Sequence, residues 1–344
     1  MDSFFRKAGL NMGRTGIGLV LLGFWAMSGT TQAADGALTF TVENDLFTHS
    51  DNNYTNGLGI TWVSPAVEAI DDSFTGRWAR YWSFLPFVAH DDYTTYASWS
   101  LAQEMNTPDD IRNPNPSPDD QPYSGILYVD STLYARKQDW THAWQLKLGV
   151  VGPASQAGDM QRDFHRMIGA EKPLGWHTQL PNEPIVNFSY TVAHLAAAGS
   201  AGGSAEWRVV PVGTLGIGNY FTGAGLGVYG EIGWNLADAL GVTALRSGLN
   251  AASTVGDGPL DRWSVSIFGG VGAYGVARYL PLDGTLFHDS RSVNSEPVIA
   301  MNSFGFCVRR DKFTLSFART LFSKTFDTQR RGTDFGTVSA SWYF

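Results

Sequence analysis

The sequence predicts an all-β chain: an antiparallel transmembrane β-barrel of about twelve strands with one short helix in an extracellular loop. Three observations carry that prediction. Alternation of apolar with polar or small residues recurs along nearly the whole chain, the period of two that a strand imposes. The 39 glycines and 13% aromatic residues stand beside only 16% charged residues, against roughly 25% in soluble domains. The final stretch GTVSASWYF places Gly336, Val338, Ala340, Trp342 and Phe344 on one parity, the apolar, aromatic-ended face that a lipid-facing strand requires.

The elements follow in order. Arg6, Lys7 and Arg14 precede the apolar run GIGLVLLGFWAMSG, and TTQAADG supplies small residues for cleavage after Ala33. Residues 1–33 therefore read as a secretory signal peptide, and 34–344 as the barrel. The apolar run falls short of the roughly 20 residues a spanning helix needs. Strands are expected near 37–45, 54–63, 95–105, 123–136, 141–151, 184–197, 205–216, 221–233, 261–275, 296–309, 311–322 and 335–344. In WQLKLGVV, Trp144, Leu146, Leu148 and Val150 alternate with Gln145, Lys147 and Gly149. In FTLSFARTLF, Phe313, Leu315, Phe317 and Arg319 form one parity. With the N-terminus in the periplasm, the loops near 46–53, 106–122, 152–183 and 276–295 are extracellular. Two long connections, 64–94 and 234–260, fall on the periplasmic side. GRWARYWSFLPFV (76–88) has the Trp and Arg content of an amphipathic helix lying in the interface. HLAAAGSAGGSAEW (194–207) reads as a small-residue turn.

Charge and cysteine narrow the function. The net charge is −8, and removing residues 1–33 takes away three bases against one acid. An acidic chain of this kind argues against nucleic-acid partners. Cys307 is the only cysteine, so no intrachain disulfide forms. The sequence contains neither a G-x-S-x-G elbow nor zinc spacing among its cysteine and histidines.

Two places break the strand rhythm with chemistry-bearing residues. TVENDLFTHSDNNYTNGLGITW carries Glu43, Asn44, Asp45, His49, Asp51, Asn52 and Asn53 between two strand patterns. Leu38, Phe40 and Val42 share a face, so Asn44 falls on the lipid side, with Glu43 and Asp45 facing in. A bulge at the rim would bring Asn44 and Asp45 together. The second place is a helix expected over 159–168, capped by Asp159 and ended by Gly169. Met160, Phe164, Met167 and Ile168 make an apolar stripe that would press onto another surface, with Gln161 and His165 at its border. Glu171 follows past the Gly169 break and can curl back toward His165. The residues alone leave His165 either a satisfied structural histidine or a general base.

With ENDLF, YTNG, PYSG and the helix pattern ending in IGAEK (Ile168–Lys172) in this order, the chain resembles the lipid A 3'-O-deacylase family of outer-membrane enzymes, the LpxR type, over essentially its whole mature length. Phe344 likewise resembles the terminal assembly signal of such barrels. The resemblance implies a twelve-stranded barrel and a calcium-dependent hydrolase that removes the 3'-linked acyloxyacyl chain of lipid A. Its site residues carry over onto Asn44, Asp45, Thr55 with Gly57 beside it, Gln161, His165 and Glu171. Basic residues in the loop after the third strand act on the substrate in the family, and here that loop offers Arg112.

On that resemblance, water is the nucleophile and His165 the general base. Ca²⁺ would stabilise the oxyanion, held by hard oxygens from Asp45, Glu171 and backbone carbonyls near Thr55–Gly57. Asn44 would position water or a ligand, and Gln161 would orient the substrate or the histidine. The implied partner is lipopolysaccharide in the outer leaflet, met by a monomer in the bacterial outer membrane. The competing readings are a non-enzymatic porin or adhesin and an outer-membrane phospholipase.

Overall fold

A computed structural model describes residues 36–48, 54–67, 72–88, 90, 92–236 and 260–344. The expected signal peptide, the turn residues His49, Asp51, Asn52 and Asn53, and most of the connection 234–260 lie outside the described residues.

Among the described residues thirteen strands form one antiparallel sheet. They are β1 (Ala37–Asn44), β2 (Tyr54–Val63), β3 (Thr94–Asn106), β4 (Ser124–Lys137), β5 (Trp140–Val151), β6 (Glu183–His194), β7 (Ala197–Gly202), β8 (Ala205–Gly218), β9 (Phe221–Trp234), β10 (Leu260–Tyr279), β11 (Val298–Asp311), β12 (Phe313–Phe322) and β13 (Asp334–Tyr343). The first strand pairs with the last, from Ala37 against Tyr343 to Asn44 against Gly336. The β6 strand pairs with β8, from Asn187 against Gly218 to Ala193 against Val212. Together these pairings close a barrel of twelve strands. The thirteenth, β7, lies outside that count and is hairpinned onto Ala205–Val209 of β8. It occupies the segment expected as a turn. Its run of Ala, Gly and Ser is extended because β8 projects beyond β6 and offers it an unpaired edge.

Side-chain parity separates two environments. On β1, Thr39, Thr41 and Glu43 are buried, whereas Phe40 and Val42 are exposed. On β13, Thr337, Ser339 and Ser341 are buried, whereas Ala340 and Trp342 are exposed. The inward rows are tied by hydroxyl pairs, Thr39 to Ser341 at 2.8 Å and Thr61 to Ser100 at 2.9 Å. Deeper in the lumen, Tyr128 and Tyr220 donate to the two oxygens of Glu104 at 2.7 and 2.8 Å. Lys147 Nζ lies 3.2 Å from the Tyr128 ring centre and 3.8 Å from Asp130. A polar interior with an apolar exterior is the inverse of a soluble sandwich and what a bilayer demands.

Two helices rest on the outside of the wall. The first, α1 (Phe74–Tyr81), starts at Ser73, whose hydroxyl accepts from Gly76 N at 3.0 Å. It lies in the stretch expected to be amphipathic. Trp78 donates to Ser131 at 3.0 Å and packs beside Trp82 and Trp99, over buried Ala79, Ala97 and Leu133. The second, α2 (Ala157–Ile168), belongs to the β5–β6 connection at the other end of the barrel.

Candidate active site

The wall side begins at the rim. The β1 ladder ends at Asn44, and the chain turns into a 3-10 turn, Asp45–Thr48, in which the Thr48 hydroxyl donates to the Asp45 carbonyl at 2.9 Å. Phe47 of this turn covers Gly336, the ladder partner of Asn44. Asp45 has therefore left the strand and is not bound to its inward parity. The bulge expected to join Asn44 and Asp45 is not there: the β1 ladders run to Asn44 without a register shift, and β2 carries a bulge instead, where Tyr54 pairs with Asn106 and Asn56 with Met105, which leaves Thr55 as the extra residue. The side chain of Thr55 lies outside the described residues. The bulge changes which face each neighbour takes. Tyr54 points inward and donates to Glu43 at 2.5 Å. Asn56 instead joins the outer face, in register with Asn44. Glu43 is the inward lining residue that parity predicts, and it also accepts from Thr337 at 3.2 Å. Gly57 falls in register with Glu43 and Glu104, the lumen row.

The outer row continues across the wall. Asn44 pairs with Asn56, Asn56 with Met105, and Met105 with Gly125. Adjacent strands lie roughly 4.8 Å apart, so Asn44 is on the order of 10 Å from Met105. Helix α2 sits at the Gly125 end of this row. Any Cβ at Gly125 would collide with Ala157 Cβ and Ser155 Oγ, so glycine is what lets helix and wall meet. Met105, Tyr123, Ala157 and Trp176 form one buried cluster at the contact. Burial pushes the Tyr123 hydroxyl up to about 12. The phenol stays neutral and donates to the Ile111 carbonyl at 3.3 Å.

The helix begins two residues earlier than expected. Gln156, with φ of 58°, stands at its N-cap, and Gly169, with φ of 71°, ends it as predicted. Asp159 does not cap the helix; it lies inside the first turn and pairs with Arg162. The face pressed to the wall is also not the expected one. Ala157, Gly158 and Gln161 are buried, while Met160, Met167 and Ile168 of the apolar stripe are exposed. Small residues allow the close approach, and large apolar ones have no need of protein cover beside a membrane.

That seating gives Gln161 a defined orientation. Its Oε1 accepts from Trp176 Nε1 at 2.5 Å, and both residues are buried. An indole N–H only donates, so the bond fixes which end of the amide faces Trp176. The Gln161 NH₂ then points away, buried and without a hydrogen-bond partner. Such an orphaned donor costs about 1–3 kcal/mol, a cost that a functional site explains. Nearby on the outer wall, Gln103 donates to the Ser155 carbonyl at 2.6 Å, while its own Oε1 and that of Asn56, Oδ1, are buried and unpartnered.

His165 lies one turn beyond Gln161 and is half-buried. Its Nδ1 is 2.5 Å from the Glu171 carbonyl oxygen. A carbonyl only accepts, so Nδ1 carries the proton and Nε2 is left as the basic nitrogen. Glu171 does curl back to the histidine, through its backbone. Its carboxylate turns instead to Arg112, 3.5 Å away, and Arg112 also bonds Asp110 at 3.1 Å. Those hydrogen bonds hold the Asp110 carboxyl below its ordinary value. Arg112 and Glu171 line a cavity of about 530 Å³ between the β3–β4 and β12–β13 loops, with Arg330 and Arg331 on its far side.

No group of three or more His, Cys, Asp or Glu residues that could hold a metal ion occurs among the described residues. The hard-oxygen donors at the rim are Asn44, Asp45 and the orphaned Asn56 Oδ1, a set suited to calcium. The Glu171 carboxylate lies 3.5 Å from Arg112. Sequence reasoning missed Asn56, Gln103, Trp176, Arg330 and Arg331. Gln103 was the most legible of them, a polar residue on the lipid parity of β3 between Leu101 and Met105.

A closed barrel with an apolar exterior and a polar interior, carrying a histidine–amide seam on its outer face, defines the class: an integral outer-membrane β-barrel with its candidate site toward the extracellular end. The chain belongs to the LpxR family of outer-membrane proteins, whose model, "Outer membrane protein LpxR", matches residues 17–344. Among solved structures it is similar to LpxR from Salmonella typhimurium, with a TM-score of 0.72 and 19% identity over 90% of this chain and 100% of that one. It also matches the β-domain of the Bordetella autotransporter BrkA, at a TM-score of 0.43 and 9% identity over 90% and 98% of the two chains. The translocator domain of NalP from Neisseria meningitidis follows at 0.39 and 7%, over 97% and 99%. No curated protein sequence matches the chain.

Proposed function

We propose that this barrel is a lipid A 3'-O-deacylase, a calcium-dependent carboxylic ester hydrolase working on lipopolysaccharide in the outer leaflet. One observation carries the reading: a histidine with its Nδ1 proton fixed on a carbonyl stands one helical turn from a buried, unpartnered amide donor, on the lipid side of the wall. A site that faces lipid from outside the barrel meets an ester that never leaves the membrane.

In this mechanism His165 Nε2 takes the proton from the attacking water and returns it to the leaving alkoxide. The Glu171 carbonyl holds the ring in the tautomer that makes Nε2 the base and steadies the imidazolium once it forms. The Gln161 NH₂ donates to the carbonyl oxygen as negative charge grows on it, with Trp176 keeping the amide from turning. Asp45, Asn44 and Asn56 would hold Ca²⁺ at the rim, where a bound ion supplies electrophilic stabilisation of the oxyanion. Arg112, with Arg330 and Arg331 across the cavity, provides cationic groups for the anionic sugar headgroup.

The test is the mass spectrum of lipid A from cells with and without the protein. Loss of one 3'-acyloxyacyl unit, abolished by EDTA and by His165→Ala, is the expected result. Intact lipid A accompanied by released lysophospholipid would replace this reading with a phospholipase. No change in either lipid would leave a porin or adhesin.

A further inference from the structure

The exposed stripe of α2 is unused by the chemistry above, and its position relative to the wall says what it meets. One row of outward residues runs Arg319, Gly336, Asn44, Asn56, Met105, Gly125 across six neighbouring strands. The next outward row toward the chain termini runs Phe317, Val338, Val42, Leu58, Gln103, Leu127. Within that single step the outer face loses Arg319, Asn44 and Asn56 and becomes apolar at every position but Gln103. Arg319, in the upper row, is paired with Asp334 on the same face. Below, exposed Val129, Leu148 and Val186 continue the apolar surface. Helix α2 is seated beside this step, at Gly125.

We propose that α2 is an interfacial anchor whose Met160–Met167–Ile168 flank is immersed in the acyl layer of the outer leaflet. The helix has three faces. Ala157, Gly158 and Gln161 rest on the wall. Asp159, Arg162, Asp163 and Arg166 form the polar back, paired Asp159 with Arg162 and Asp163 with Arg166. The third face carries Met160, Met167 and Ile168, exposed at 43%, 67% and 45%, with half-buried Phe164 between them. An amphipathic helix of this make-up lies in the interface plane with its apolar face roughly 5–10 Å into the headgroup–acyl boundary. The exposed flank continues the lipid-facing surface of the barrel, and flexible methionines adapt to disordered chains. His165 lies on the opposite border of the wall-facing strip, so immersion of this flank leaves the imidazole on the loop side, beside Glu171 and Arg112. The inference rests on the outer-membrane placement and stands apart from the proposed chemistry.

Site-directed spin labelling tests it. Cys307→Ala removes the native thiol, and Met167→Cys or Asp163→Cys then places a nitroxide on the apolar flank or the polar back. The protein is reconstituted in phosphatidylcholine–phosphatidylglycerol vesicles, and barrel folding is checked by heat-modifiable gel mobility. The label at 167 is expected to be more accessible to oxygen than to an aqueous nickel chelate, with the order reversed at 163. Met160→Cys repeats the measurement one flank position away, in case the first variant folds poorly. Nickel-favoured accessibility at both 160 and 167 would overturn the proposal. So would dipolar broadening between labels at 167, which would assign the flank to a second copy of the chain.

Discussion

The two helices lie on the outside of the same wall and are held there in opposite ways. Helix α1 is glued by large side chains: Trp78 is hydrogen-bonded to Ser131, stacked beside Trp82 and Trp99, and set over Ala97 and Leu133. Helix α2 is held by small ones, Ala157 against Gly125, and around that contact three amide atoms stay buried without partners: Gln161 Nε2, Gln103 Oε1 and Asn56 Oδ1. A structural prop fills its interface with apolar surface and satisfies its polar groups. A working seam tolerates unsatisfied polar groups because substrate or ion will meet them. On the proposed function, that contrast makes α1 architecture and α2 machinery.

Substitutions on the two helices should have unequal effects. Gly125→Leu drives a side chain into Ala157 and Ser155, so it should lift α2 and bring deacylation to background while the barrel still shows heat-modifiable mobility. His165→Ala should cost roughly 10²–10⁴-fold in kcat with little change in KM, the scale of a lost general base. Gln161→Glu keeps an acceptor for Trp176 and removes the donor; turnover assays should show a fall of roughly 10²–10³-fold, the scale of one oxyanion donor. Trp176→Phe keeps the ring and deletes the N–H, freeing the amide to turn. About a fivefold fall in kcat is expected, since one such bond is worth about 1 kcal/mol. Trp78→Ala on α1 should leave turnover unchanged and lower unfolding stability by about 1–3 kcal/mol, less than a full core truncation. If Trp78→Ala proved as damaging to turnover as Trp176→Phe, the division between the helices would fail.

Most of the barrel was legible because parity is a strong signal when one face meets lipid and the other a polar lumen. The stretch 54–63 coincides with β2, and the inward Glu43 and outward Asn44 both follow from counting along β1. What sequence could not give was which helix face touches the wall. The stripe Met160, Phe164, Met167, Ile168 is real, but a stripe is buried only when water is the alternative, and under the proposed immersion the alternative is lipid. The 3-10 turn that frees Asp45 from strand parity, and the bulge that turns Asn56 outward, depend on ladder register rather than composition. The Trp176–Gln161 bond joins residues fifteen apart across a loop, and no local pattern announces it. Glu171 illustrates a half-legible residue: its return to His165 was readable from the Gly169 break, but not that the carbonyl makes the contact while the carboxylate serves Arg112.

On the proposed function the α2–wall seam performs the chemistry and the α1–wall contact does not. The most direct measurement is the mass spectrum of lipid A from cells producing the wild-type chain, Gln161→Glu or Trp78→Ala at matched outer-membrane levels. Loss of the 3'-acyloxyacyl unit is expected with the wild type and with Trp78→Ala, and intact lipid A with Gln161→Glu. Lipid A left intact by the wild type, or shortened equally by Gln161→Glu, would contradict that assignment.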